Sequence, residues 1–135
     1  MKIYFLGLFF LFSFIVKAQQ SVDSIPKAYE LIGPQYKDWN AMYDNWRAIE
    51  YPKILKENKL KMNCNGCESI YMEVIFVINE IGKLDHYTVI KSNKCSGKFS
   101  KKLEARFMKL FLDFQFPKDM RSFKFEVKLG TGLKC

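Results

Sequence analysis

The sequence predicts an α+β domain: a two-layer sandwich in which a three-stranded antiparallel sheet (β-β-α-β) carries one long helix, with an extra helix ahead of it. Three observations predict it. Residues 71–78 read Tyr-Met-Glu-Val-Ile-Phe-Val-Ile, a run of β-branched and aromatic side chains that suits a strand. Near the end of the chain Phe123, Phe125, Val127 and Leu129 alternate with Lys124, Glu126 and Lys128, the period of a half-buried strand with one wet face. Between them Leu103, Phe107, Leu110, Phe111 and Phe114 recur at helical spacing. A helix with such a stripe has to bury it, and the apolar face of the sheet can receive it.

The remaining elements follow from local chemistry. Residues 79–83 form a turn in which Gly82 is free to take positive φ, and residues 84–92 return as a second strand with apolar side chains on both faces. Ser100 is placed to cap the helix that follows, and Pro117 ends it. Upstream, a helix beginning at Asp38 presents Trp39, Met42, Tyr43, Trp46 and Ile49 on one face, and Pro52 stops or kinks it. One or two further turns reach Lys61. The two tryptophans read as core rather than as a ligand platform.

The first residues are of a different kind. Met1 and Lys2 form a short basic start, residues 3–16 are almost wholly apolar, and Ala18 is a small residue before the polar Gln19 and Gln20. These are the parts of a cleavable signal peptide over residues 1–18. The apolar run falls short of the ~20 residues that a spanning helix needs, and no cysteine follows Ala18 to take a lipid. The expected location is periplasmic or secreted. Residues 19–36, with Pro26 and Pro34, read as a flexible lead-in with one short turn near Lys27–Leu31, and residues 37–135 as the folded domain.

The whole chain carries a net charge of +8, and Lys2 and Lys17 belong to the signal. The charge left is interleaved rather than clustered, which describes a solvated basic surface and not a nucleic-acid interface. His86 is the only histidine, and it sits mid-strand beside Asp85. No nucleophile comes with a base at a recognisable spacing, and no phosphate-cradling glycine loop is present. The reading is a non-enzyme with no catalytic residues, no cofactor, no metal and no small-molecule substrate.

Cys64, Cys67, Cys95 and Cys135 all follow the signal, and an even number of cysteines in an exported chain points to disulfides. The predicted topology brings the start of the first strand and the ends of the second and third to one rim. A three-residue loop over residues 80–82 sets Asn79 opposite Lys83, and carrying that register along the ladder sets Cys67 opposite Cys95, within disulfide reach. Cys64 is then left for Cys135. A β-bulge anywhere in the ladder would shift this register. Each bridge would add ~2–4 kcal/mol by restricting the unfolded chain. The Cys64-Asn65-Gly66-Cys67 motif also fits a thiol–disulfide redox pair, but it lacks a following helix to lower a thiol pKa. A zinc site of four cysteines would lack the usual second close pair.

Five segments in order resemble one family. Tyr51-Pro52-Lys53-Ile54-Leu55-Lys56-Glu57 is similar to the Tyr-Pro segment that opens the C-terminal domain of TonB-type energy transducers. Val77-Ile78-Asn79-Glu80-Ile81-Gly82-Lys83-Leu84 resembles its strand–turn–strand, and Val89-Ile90-Lys91-Ser92 its second strand. Phe116-Pro117 resembles the aromatic-Pro after its helix, and residues 123–129 its last strand. The resemblance implies a periplasmic protein-interaction module that binds an envelope protein, such as a TonB-dependent outer-membrane transporter, by β-strand addition. It makes Phe123, Lys124, Phe125, Glu126, Val127, Lys128 and Leu129 the partner-binding edge. Strand exchange between two copies, giving a homodimer, is open to the same edge. The sequence departs from a transducer in having a cleavable apolar segment and only 4 prolines. A free-standing binding module is therefore the leading reading; an anchored energy transducer and a periplasmic redox protein using Cys64 and Cys67 are the alternatives.

Overall fold

The computed structural model describes residues 24–61, 69–95 and 97–132. Helix α1 (Gly33–Asn45), a π-helical turn (Trp46–Glu50) and helix α2 (Tyr51–Glu57) follow one another directly. Strands β1 (Ile70–Ile78) and β2 (Leu84–Lys94), helix α3 (Lys101–Asp113) and strand β3 (Lys124–Thr131) complete the order, with 3-10 turns at Ala28–Glu30 and Lys118–Met120. The sheet runs β2-β1-β3, and both pairings are antiparallel. This is the α+β sandwich that the hydrophobic pattern predicts.

The helices lie on one face of the sheet, because the same aromatic ring touches every layer. Trp39 of α1 packs 6.0 Å from Phe76 of β1 and 5.2 Å from Phe125 of β3, and 6.0 Å from Phe111 of α3. Ile70, Met72, Val74, Phe76 and Ile78 of β1 point into this layer and are buried, while Tyr71, Glu73, Ile75 and Val77 are half-buried on the other face. Ser100 caps α3, its hydroxyl accepting the Leu103 N–H at 3.1 Å. Leu103, Phe107 and Phe111 are buried as expected, with Met108 beside them, and Leu110 and Phe114 flank the core.

The first helix departs from its sequence reading in two ways. It begins at Gly33 rather than Asp38, with Pro34 in its first turn, where no N–H is required. At Pro52, where a stop or a kink is expected, the helix continues through a distorted turn, and that distortion moves its buried face. Proline cannot donate to the carbonyl four residues back, and the turn ahead of it widens to π geometry, the Tyr51 N–H donating to the Trp46 carbonyl. That wider turn shifts the buried stripe by about one residue. After Trp39, Met42 and Trp46 the next core residues are Tyr51 and Ile54, and Ile49 is turned outward at 47% exposure.

The β1–β2 turn closes as its residues dictate. The Asn79 N–H donates to the Lys83 carbonyl at 2.9 Å, the Asn79 Oδ1 accepts the N–H groups of Ile81 and Lys83, and Gly82 has φ of +83°. The turn is docked as well as formed. The Phe116 N–H donates to the Gly82 carbonyl at 2.8 Å and the Ser122 N–H to the Asn79 carbonyl at 3.1 Å. A side chain at position 82 would collide with the Phe116 carbonyl, so only glycine allows this approach.

At the opposite end of the sheet the Tyr51 hydroxyl sits where β1 and β3 part. It donates to the Ile70 carbonyl at 2.9 Å and accepts the Thr131 N–H at 3.0 Å, and burial pushes its phenol above the ordinary range, so it stays protonated. The Tyr51 ring stacks on Trp46 at 5.2 Å and meets Phe107 edge-on at 6.1 Å. One side chain thus joins α2, α3, β1 and β3. Across the helices, Arg106 of α3 makes a two-pronged contact with Glu57 (2.9 and 3.2 Å) and a third bond to Glu50 at 3.1 Å. Tyr51→Phe keeps the ring but orphans the Ile70 carbonyl and the Thr131 N–H. It is expected to cost about 1–3 kcal/mol in urea unfolding; an unchanged midpoint would show that water replaces the hydroxyl at no cost.

Candidate partner-binding edge

Strand β1 is paired on both sides, so the sheet has two edges, β2 and β3. In β3 the buried side chains are Phe125, Val127 and Leu129, with Phe123 just ahead of the strand packed against the core. Lys124, Glu126 and Lys128 lie on the other face of the sheet. The backbone alternates in the same way. The Glu126 N–H points away from β1, since it donates to the Pro26 carbonyl outside the sheet at 2.9 Å. By the period of an antiparallel ladder, Lys124 and Lys128 turn their N–H groups the same way. Of the predicted residues 123–129, Lys124 to Leu129 lie in β3 and Phe123 just ahead of it, and β3 continues two residues further, to Thr131.

The charged face beside this edge is organised. Lys128 lies across from Glu73 with 4.0 Å between Nζ and Oε1, and its ammonium stands 4.2 Å from the centre of the Tyr71 ring. Lys91 of β2 approaches the same ring at 5.7 Å. The half-buried Tyr71 ring thus lies within reach of two cations, one from each edge strand.

The β2 edge is irregular. The β1–β2 register shifts twice, between Glu73 and Val74 and between Val77 and Ile78. Tyr87 and Val89 pack on the core, whereas Ile90 is 51% exposed. His86 lies on the surface near one irregularity, its Nδ1 2.7 Å from the Asp85 carboxylate. Bulges bend and twist a strand and interrupt its regular row of edge groups. Of the two edges, β3 is the more regular.

The same two shifts correct the predicted cysteine register. The turn does set Asn79 against Lys83, but the ladder then slips by two residues, and Ile70 faces Lys94. The residue brought to Cys95 is Ser69: the Cys95 N–H donates to the Ser69 carbonyl at 3.3 Å, and Ser69 Oγ lies 2.9 Å from Cys95 Sγ. Equal counting from the turn, without the two irregularities, sets Cys67 there. Cys64, Cys67 and Cys135 lie outside the described residues. The rim itself forms as the topology requires, because Ile70 pairs with both Lys94 and Thr131. Among the described residues no group of His, Cys, Asp and Glu could hold a metal ion, and no helix is long and apolar enough to cross a membrane.

The sequence reading passed over residues 26–31 as a site. Pro26 contacts the β3 edge and Leu31 is buried in the core, 6% exposed. The only signal was a single leucine in a polar stretch. Comparison of the chain with family models, with curated proteins and with solved structures finds no match.

Proposed function

We propose that this chain is an exported, non-enzymatic interaction module of the TonB C-terminal type, whose β3 edge takes up an extended segment of an envelope protein by strand addition. The observation that carries the reading is the outward row of β3 backbone groups, one of which, the Glu126 N–H, already bonds an extended piece of chain at Pro26. Main-chain hydrogen bonds along such an edge supply affinity, and alternate side chains supply selectivity. Three of the five segments that resemble the family support the reading through their contacts. The Tyr-Pro tyrosine ties β1 to β3, and the turn glycine is bonded to the residue before Pro117. An outer-membrane transporter is the partner class that the resemblance implies.

Lys128→Pro tests the edge. Its N–H faces outward, so proline there removes a donor for an added strand and leaves the β1–β3 ladder whole. Pull-down of envelope proteins with the chain lacking residues 1–18 is expected to capture an outer-membrane protein, and the variant to capture at least tenfold less with an unchanged circular dichroism spectrum. Equal capture by both would count against strand addition at β3.

Disulfides among Cys64, Cys67, Cys95 and Cys135 belong to the same reading, because they would staple the rim on which both strand ladders begin. Mass mapping of the exported protein without reductant is expected to find no free thiol. Four free thiols would remove the staples.

A further inference from the structure

The lead-in is seated on the surface that the proposed partner would need. The Glu126 N–H donates to the Pro26 carbonyl at 2.9 Å, and Lys27 forms a parallel bridge with Glu126. Residues Ala28–Glu30 then close a 3-10 turn, with the Glu30 N–H on the Lys27 carbonyl at 2.8 Å and the Lys27 N–H on the Glu30 carboxylate at 2.7 Å. Beyond the turn, Leu31 enters the core, and the Gln35 side chain bonds the Asp119 carbonyl at 2.7 Å. The segment is held firmly at its C-terminal end and lightly at the edge.

From these contacts we propose that residues 26–31 form an intramolecular strap, which occupies the middle of the β3 outer edge and competes with any strand added there. The proposal rests on the reading of β3 as the partner-binding edge. The chemistry of the strap makes it a weak competitor. Pro26 has no N–H to give and Lys27 spends its own on Glu30, so of the first three strap residues only Ala28, through the parallel bridge, has an N–H to offer the strand. Tyr29 and Ile32 are 72% and 80% exposed, which leaves Leu31 as the main apolar anchor. A partner segment with a full set of N–H groups makes bonds that the strap does not. It also has a point of entry, a cleft of about 190 Å³ between strap and sheet, lined by Tyr29, Glu73, Glu126 and Lys128. The strap therefore covers an edge that would otherwise invite unwanted pairing, and yields to a better strand.

Amide hydrogen exchange of the chain lacking residues 1–18 tests this. Among the outward N–H groups of β3, Glu126 is expected to exchange at least tenfold more slowly than Lys128. Leu31→Ala withdraws the anchor and is expected to bring Glu126 to the Lys128 rate. Glu30→Ala, which changes only an exposed side chain, is expected to reduce the protection severalfold without altering the fold. A synthetic peptide of residues 24–31, added in trans, is expected to bind Leu31→Ala at least tenfold more tightly than the unaltered chain. Glu126 exchanging as fast as Lys128 in the unaltered chain would overturn the strap, and equal peptide affinity would overturn the competition. Exchange and peptide results as expected, with no envelope protein captured, would overturn the partner reading alone.

Discussion

Strand β1 is the constraint on which the rest of this structure depends. It is paired on both sides, its inward residues from Ile70 to Ile78 are buried at every second position, and helices α1 and α3 rest on that row through Trp39 and Phe111. A central strand of this kind must have its register set at both ends, because a slip of one residue turns its apolar set out to water. Here the two ends are held by different means. At the turn, Asn79 and Gly82 are bonded to the segment that leads from α3 to β3. At the rim, the Tyr51 hydroxyl bridges Ile70 and Thr131. The position of β3 is therefore fixed by contacts at both ends as well as by its own pairing.

That arrangement has a functional consequence. With β3 held along its inner side by β1 and at its ends by the turn and by Tyr51, its outer side is a preorganised row of backbone groups. A segment joining there would not have to order the sheet first, which lowers the cost of association. The irregular register makes β2 a poorer template. An exposed β3 edge is also a hazard for unwanted pairing, and the placement of Pro26 and Lys27 against Glu126 answers it within the same chain.

Much of the fold was legible in the sequence because each element carries its own period. The Phe107–Phe111 stripe, the alternation through Phe125, Val127 and Leu129, and the Asn79–Gly82 turn are local signals, and they hold in the structure. The failures occur where one extra residue changes the period. The π turn before Pro52 moved the buried face from Ile49 to Tyr51, and two irregularities opposite β1 put Ser69 rather than Cys67 across from Cys95. They also explain why β2 has apolar side chains on both faces. The π turn is the form that the Pro52 distortion takes, and the β irregularities answer to packing from distant parts of the chain, which no local window contains. The β3 edge was legible as a strand with one wet face. The lead-in lying along it was not, since a polar stretch with one buried leucine has no period to read.

The central claim is that β3 offers its outer edge to an incoming strand. Amide-resolved exchange on the isotope-labelled chain, free and bound to a captured envelope protein, tests it most directly. The account predicts that the N–H groups of Lys124 and Lys128 gain protection on binding and that the outer groups of β2 stay as they were. Protection gained along β2, with β3 unchanged, would contradict it.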